Sequence, residues 1–149
     1  MLSEQKAYFS ALHAVEELAK FNIGFAYGLS LIAGRGTQIY YNYGCFWAGV
    51  ELARLMAARI PGWREASLGE CVKMLLEQIG AADEVQVVDE GGSLRVILRG
   101  CHFCPKRVGG YELEGTACFL PGLVAGVVSQ KLGLEPRLGL VKDMMRRLD

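Results

Sequence analysis

The run FNIGFAYGLSLIA, residues 21–33, carries no charged side chain and lies between Lys20 and Arg35. A bilayer-spanning helix takes about 20 apolar residues, so the run is too short to cross a membrane. It therefore reads as a helix that is buried or that offers a docking surface. Gly24, Gly28 and Gly34 punctuate it. Glycine permits close helix contact, but each one weakens an isolated helix by about 1 kcal/mol relative to alanine. Upstream, Tyr8, Leu12, Val15 and Ala19 recur every three or four positions while Glu16, Glu17 and Lys20 point elsewhere, which predicts an amphipathic helix from Ser3 to about Ala19. Glu4, Glu16 and Glu17 interrupt the region that a signal peptide would keep apolar. A cytoplasmic protein without a transmembrane segment is expected.

Downstream, GRGTQ at 34–38 reads as a turn. IYYNYGCFWAGVELARLMAARIPGW is the most aromatic part of the chain, with a helix expected from Cys45 to Ile60 and a stop at Pro61 and Gly62. Ser67 and Glu70 have capping-box spacing and open a helix through Ile79. VQVVDEGGSLRVILRG has the β-branched flanks and glycine pair of a hairpin, with Leu94, Val96 and Leu98 facing a core and Arg95 and Arg99 facing water. Pro121 suits the first turn of a helix carrying Leu123, Val124, Val127, Val128 and Leu132 and ended by Gly133. In PRLGLVKDMMRRLD, Leu138, Leu140 and Val141 fit a strand and the remainder a short helix. The order of elements implies α+β, with helices on one face of a small antiparallel sheet.

With 149 residues, one domain is expected over 1–149, comprising an N-terminal helical segment, 1–43, and a core, 44–149. Lys+Arg and Asp+Glu are both 16, so the chain has no excess of phosphate-neutralising charge and nucleic acid is not an expected direct partner. No Walker loop, GxSxG or HExxH is present, and no catalytic residue is singled out.

The chemistry-bearing stretch is GCHFCPKRVGG, residues 100–110. Five cysteines without a secretory signal favour reduced thiols or metal ligands over a disulfide framework. Cys101 and Cys104 have the spacing of a zinc knuckle, and Cys118 follows at a distance that a returning loop can close. Glu112, Glu114, Cys71, His102 or a water could complete a tetrahedron, with His102 disfavoured by its place inside the knuckle. Two other readings stand beside zinc. The thiols could pack without metal, or Cys101 could be a redox thiolate activated by Lys106 or Arg107, although a thioredoxin-like dithiol expects a helix directly after its CxxC. His13 reads as an ordinary histidine, and Cys45 and Cys71 as small core residues. Tyr40, Tyr41, Tyr43, Phe46 and Trp47 form either core or a ligand cage. GxxxG at Gly24 and Gly28, and again at Gly122 and Gly126, mainly suggests tight packing.

The stretch CHFCPKRVGGYELEGTACFLPGLVAGVVSQKLG, after a helix and a hairpin, resembles the 4-vinyl-reductase-like, or hydrocarbon-binding, domain, which is similar in fold to TRAPP vesicle-tethering subunits. The resemblance spans about residues 44–135 and is most specific over 98–133, where PGLxxGxxxxxLG leads into the last helix. It implies an α+β protein, often a homodimer, with an apolar ligand pocket between helices and sheet. It also implies zinc on cysteines of this loop, here Cys101, Cys104 and Cys118; among the candidate fourth donors, Glu112 is the one expected. The end of the chain departs from the family, because EPRLGLVKDMMRRLD lacks the usual terminal cysteines.

The leading expectation is a sensor or carrier that binds an apolar small molecule against Tyr40, Tyr43, Phe46, Trp47, Leu123 and Val127, with structural zinc. Burial of ligand surface at about 25 cal/mol per Å² would provide affinity, and tyrosine hydroxyls orientation. An enzyme or accessory acting on a tetrapyrrole-like ring is one alternative. A dimeric interaction module using the glycine-rich first helices is the other.

Overall fold

The computed structural model describes residues 2–133, with side chains from residue 16 onward. Helix α1 (Leu2–Ala33) leads through a 3₁₀ turn at Gly34–Gly36 into α2 (Thr37–Arg59), followed by α3 (Leu68–Gln78), strands β1 (Ala82–Asp89) and β2 (Leu94–Cys101), and α4 (Leu120–Leu132). The class is α+β, as the order of elements implied. The strand and helix expected after Gly133, and the side chain of His13, lie outside the described residues.

Two boundaries differ from expectation. α1 is one helix through Ala33 rather than a helix to Ala19 and a separate segment, because glycine weakens a helix without breaking it. α2 begins at Thr37 rather than Cys45. Its start is fixed by the buried Thr37, whose Oγ1 donates to the Gly34 carbonyl at 2.7 Å, and no breaker intervenes before Pro61. A division between 43 and 44 therefore falls inside a helix.

The local signals in the middle of the chain are realised directly. Ser67 Oγ accepts from the Glu70 N–H at 3.3 Å, and Glu70 Oε2 accepts from the Ser67 N–H at 2.7 Å, which completes a reciprocal cap on α3. The face of α3 that bears Cys71, Val72, Leu75 and Leu76 is fully buried. β1 and β2 pair antiparallel with Val85 opposite Leu98 and Val87 opposite Val96, and these residues line the core side. Gly91 and Gly92 turn the hairpin with φ of 70° and 106°, values that side chains rarely adopt.

Helices α2 and α4 approach each other backbone to backbone. A Cβ on Gly122 would lie 2.8 Å from the Asn42 carbonyl oxygen, while one on Gly126 would collide with the Phe46 carbonyl oxygen and one on Gly49 with that of Leu123. The helices run in the same sense, since Gly122 meets Tyr41 and Asn42, and Gly126, further on, meets Phe46 and Gly49. Phe46, Val127, Trp63 and Leu75 are buried around this contact.

Adding one methyl at this crossing must drive the helices apart. Gly126→Ala should lower stability by about 2–3 kcal/mol in urea unfolding, at the upper end of overpacking costs. An unchanged midpoint would mean that the backbones do not touch there.

Candidate functional site

Helix α2 has two apolar faces with different fates. Tyr41, Phe46, Gly49, Val50, Ala53 and Met56 are buried inward. On the other side, Tyr40, Tyr43 and Trp47 remain 63%, 56% and 53% exposed. The six residues expected to line a ligand pocket are thus divided, with Phe46, Leu123 and Val127 inside the α2–α4 contact and the other three at the surface. An open hollow of about 550 Å³ lies elsewhere, against Pro61, Gly62, Met74 and Glu77.

Helix α1 repeats this arrangement. Ala19, Ile23 and Ala26 are buried, because α1 lies on the loop between β2 and α4. Asn22 Nδ2 donates to the Phe103 carbonyl at 3.4 Å, Tyr27 stacks on Tyr111 with centroids 4.4 Å apart, and Arg35 Nε donates to Glu114 Oε1 at 2.6 Å. Outward, Leu18, Phe21, Phe25, Leu31 and Ile32 are mostly exposed. Phe21 stacks on Phe25 at 6.1 Å, and Phe25 meets the buried Tyr41 of α2 edge-on at 6.2 Å.

Between Lys20 and Glu51 the sole charged residue is Arg35, and it is tied to Glu114. Aromatic enrichment with charge depletion is the composition of an interface core, and Glu51 paired with Arg54 at 2.7 Å marks where the charge-free stretch of α2 ends. Five aromatic side chains that carry about 150–250 Å² each and are more than half exposed present on the order of 500 Å². Leu18, Leu31, Ile32 and Ile39 add further exposed apolar area on the same two helices. The sequence offers the run at 21–33 as a buried helix or a docking surface, and the aromatics of 40–47 as core or a ligand cage. The overlooked signal is that apolar residues occupy both sides of α1 and of the first half of α2.

Beneath this face lies a neutral polar group. Gln38 grips the start of α4, donating from Nε2 to the Cys118 carbonyl at 2.7 Å while its Oε1 accepts from the Cys118 N–H at 2.9 Å. Tyr41 is 5% exposed, and its buried hydroxyl has no hydrogen-bond partner among the described residues. Burial, reinforced by the neighbouring Cys45 and Cys118 thiols, pushes its pKa up to about 12. Burial and then Cys118 push Cys45 up to about 11. Such thiols stay protonated and are poor nucleophiles at neutral pH.

The expected zinc donors are spread along the loop. Cys101 ends β2 and packs against the main core, Cys104 is buried, Glu112 is exposed, and Cys118 sits beside Gln38, Tyr41 and Cys45. Among the described residues no group of three or more His, Cys, Asp or Glu side chains is arranged to hold a metal ion. His102 is engaged elsewhere, with Nε2 2.8 Å from Asp83 Oδ1 and Nδ1 2.9 Å from the Gly80 carbonyl oxygen. No helix among the described residues is long and apolar enough to cross a membrane.

A family model described as MJ0207 family matches residues 45–148, taking in Trp47 and the cysteine loop but not α1. A protein of Methanocaldococcus jannaschii, named uncharacterized protein MJ0207, is 36% identical over 110 residues, which is 74% of this chain and 70% of that protein. No solved structure matches.

Because its hydroxyl is buried and unsatisfied, replacing Tyr41 with phenylalanine should stabilise the fold by about 1 kcal/mol at pH 7. The fold also favours the protonated forms of Cys45 and Tyr41. Below pH 9 both are neutral whether the chain is folded or not, and they add no pH dependence. From the ordinary thiol value of 9.0 to about 11, and from the ordinary phenol value of 10.0 to about 12, the unfolded chain releases protons that the folded chain keeps. Melting temperature should therefore fall as pH rises from 9 to 11, and less steeply in Cys45→Ala. An equal slope in wild type and variant would show that Cys45 is not buried as described.

Proposed function

This chain belongs to the MJ0207 family, and we propose that it works as a binding module that pairs with a second copy of itself through the apolar face of α1 and α2. The observation that carries this reading is the stretch between Lys20 and Glu51, whose one charged residue, Arg35, is paired with Glu114, and in which Phe21, Phe25, Tyr40, Tyr43 and Trp47 are all more than half exposed. Leaving that much apolar area in water costs about 25 cal/mol per Å², and a two-fold pairing removes it from both copies at once. A standard interface buries about 800 Å² per partner, and the aromatic and aliphatic side chains of this face together approach that area. The resemblance of residues 98–133 to the 4-vinyl-reductase-like domain supports the same reading, since it implies dimers.

A second reading attaches to the same surface. Tyr40, Tyr43 and Trp47 combine wide apolar rings with two hydroxyls, the equipment expected for an aromatic small molecule held by stacking and oriented by a hydrogen bond. In a pair, the ligand would lie in the cleft between copies rather than inside one chain. Naphthalene as a probe should then quench Trp47 fluorescence saturably in wild type and not in Tyr43→Ser.

Sedimentation equilibrium tests the pairing. Wild-type protein should sediment at twice the chain mass at micromolar concentration, and Tyr43→Ser combined with Trp47→Ser should weaken association by about a hundredfold or more, as loss of aromatic anchors does at interfaces. A wild type that sediments as a single chain throughout contradicts the proposal.

A further inference from the structure

Three glycines in the interiors of α1 and α2 have, among the described residues, no close neighbour that requires a glycine. Built Cβ atoms on Gly24, Gly28 and Gly44 meet nothing within 4 Å, and their φ angles are not in the left-handed region. Each costs its helix about 1 kcal/mol relative to alanine. The contrast within the same fold is direct, since Gly49, Gly122 and Gly126 each stand where a Cβ would strike the backbone of a facing helix. In α4 the spacing Gly122 to Gly126 is thus used to bring two helix backbones together. Gly24 and Gly28 have the same spacing and face outward.

Their surroundings match a helix contact. Gly24 and Gly28 are exposed and share the outer side of α1 with Phe21, 69% exposed, and with Phe25, Leu31 and Ile32. Large apolar side chains flanking a glycine pair form a groove with a backbone floor, which another helix can enter closely. Gly44 occupies the equivalent place on α2, among Tyr40, Tyr43 and Trp47.

We infer that the second copy meets this chain along α1, with the two α1 helices crossing at Gly24 and Gly28 and the aromatic rows of α2 closing over the flanks. This rests on the pairing proposed above and specifies its seam. A two-fold axis makes the contact self-complementary, so the glycine floor of each α1 receives the other backbone, while Phe21 and Phe25 of one copy cover Leu31 and Ile32 of its partner. The occupant is a second copy because the exposed side chains of α1 and α2 together approach the area that one partner buries in a stable dimer, and the one charged residue between Lys20 and Glu51, Arg35, is already paired with Glu114.

The test uses the full chain with Gly24→Ala and Gly28→Ala together, and separately Gly28→Ile. Since both positions have open space and helical backbone, alanine should raise the urea midpoint of the isolated chain while raising the dimer dissociation constant at least about tenfold, and Gly28→Ile should raise it about a hundredfold. That opposite movement of fold and assembly is not expected of a variant that merely misfolds. Wild-type dimers whose dissociation constant is unchanged in both variants, while Tyr43→Ser with Trp47→Ser abolishes them, would overturn the α1 seam and leave the pairing intact. A wild type that stays monomeric and instead sediments with phosphatidylcholine vesicles would give the face to a lipid surface and overturn both.

Discussion

The α2–α4 crossing is the constraint from which the rest of the structure follows. Gly49, Gly122 and Gly126 let two helix backbones touch, and that contact fixes the rotation of α2 about its own axis. Once Gly49, Ala53 and Met56 are turned inward, the helical period carries Tyr40 and Trp47 to the other side, with Tyr43 at its edge. The exposed aromatic row is therefore a consequence of how the core is closed.

The same crossing decides what the cysteine loop can do. Parallel packing sets the start of α4 beside the start of α2, where Gln38 fastens both backbone groups of Cys118. Cys118 is thereby carried toward Cys45 and Tyr41, and both it and Cys101, at the end of β2, pack against the main core. α1 then lies over the loop, with Ile23 against Gly109 and Tyr27 on Tyr111. Burial leaves Cys45 and Tyr41 neutral and chemically quiet. Each layer rests on the one below, and the last layer, α1, is left with an apolar outer side.

Features written in a few consecutive residues were legible in the sequence. The Ser67–Glu70 cap, the Gly91–Gly92 turn, the inward Leu94, Val96 and Leu98, and the stop at Pro61 all depend on local geometry that the residue types dictate. Helix starts were less legible, because the aromatic stretch 39–43 carries no strong helix signal and was separated from the helix it begins. The candidate site was legible only in part. The aromatics were identified, but periodicity alone does not say which apolar side of a doubly apolar helix faces the core. The cysteine spacing likewise says how a loop can bend and not where its third thiol is held, which here is set by Gln38, distant in sequence.

The central claim is that the outer face of α1 and α2 is covered by another copy of the same chain. Acrylamide quenching of tryptophan reads this at the residue concerned, because Trp63 is almost wholly buried and Trp47 is half exposed in one chain, so quenching reports Trp47. Quenching should be weak at high protein concentration and should rise severalfold on dilution below the dimer dissociation constant, as Trp47 returns to water. Strong quenching of Trp47 that is the same at every protein concentration would contradict it.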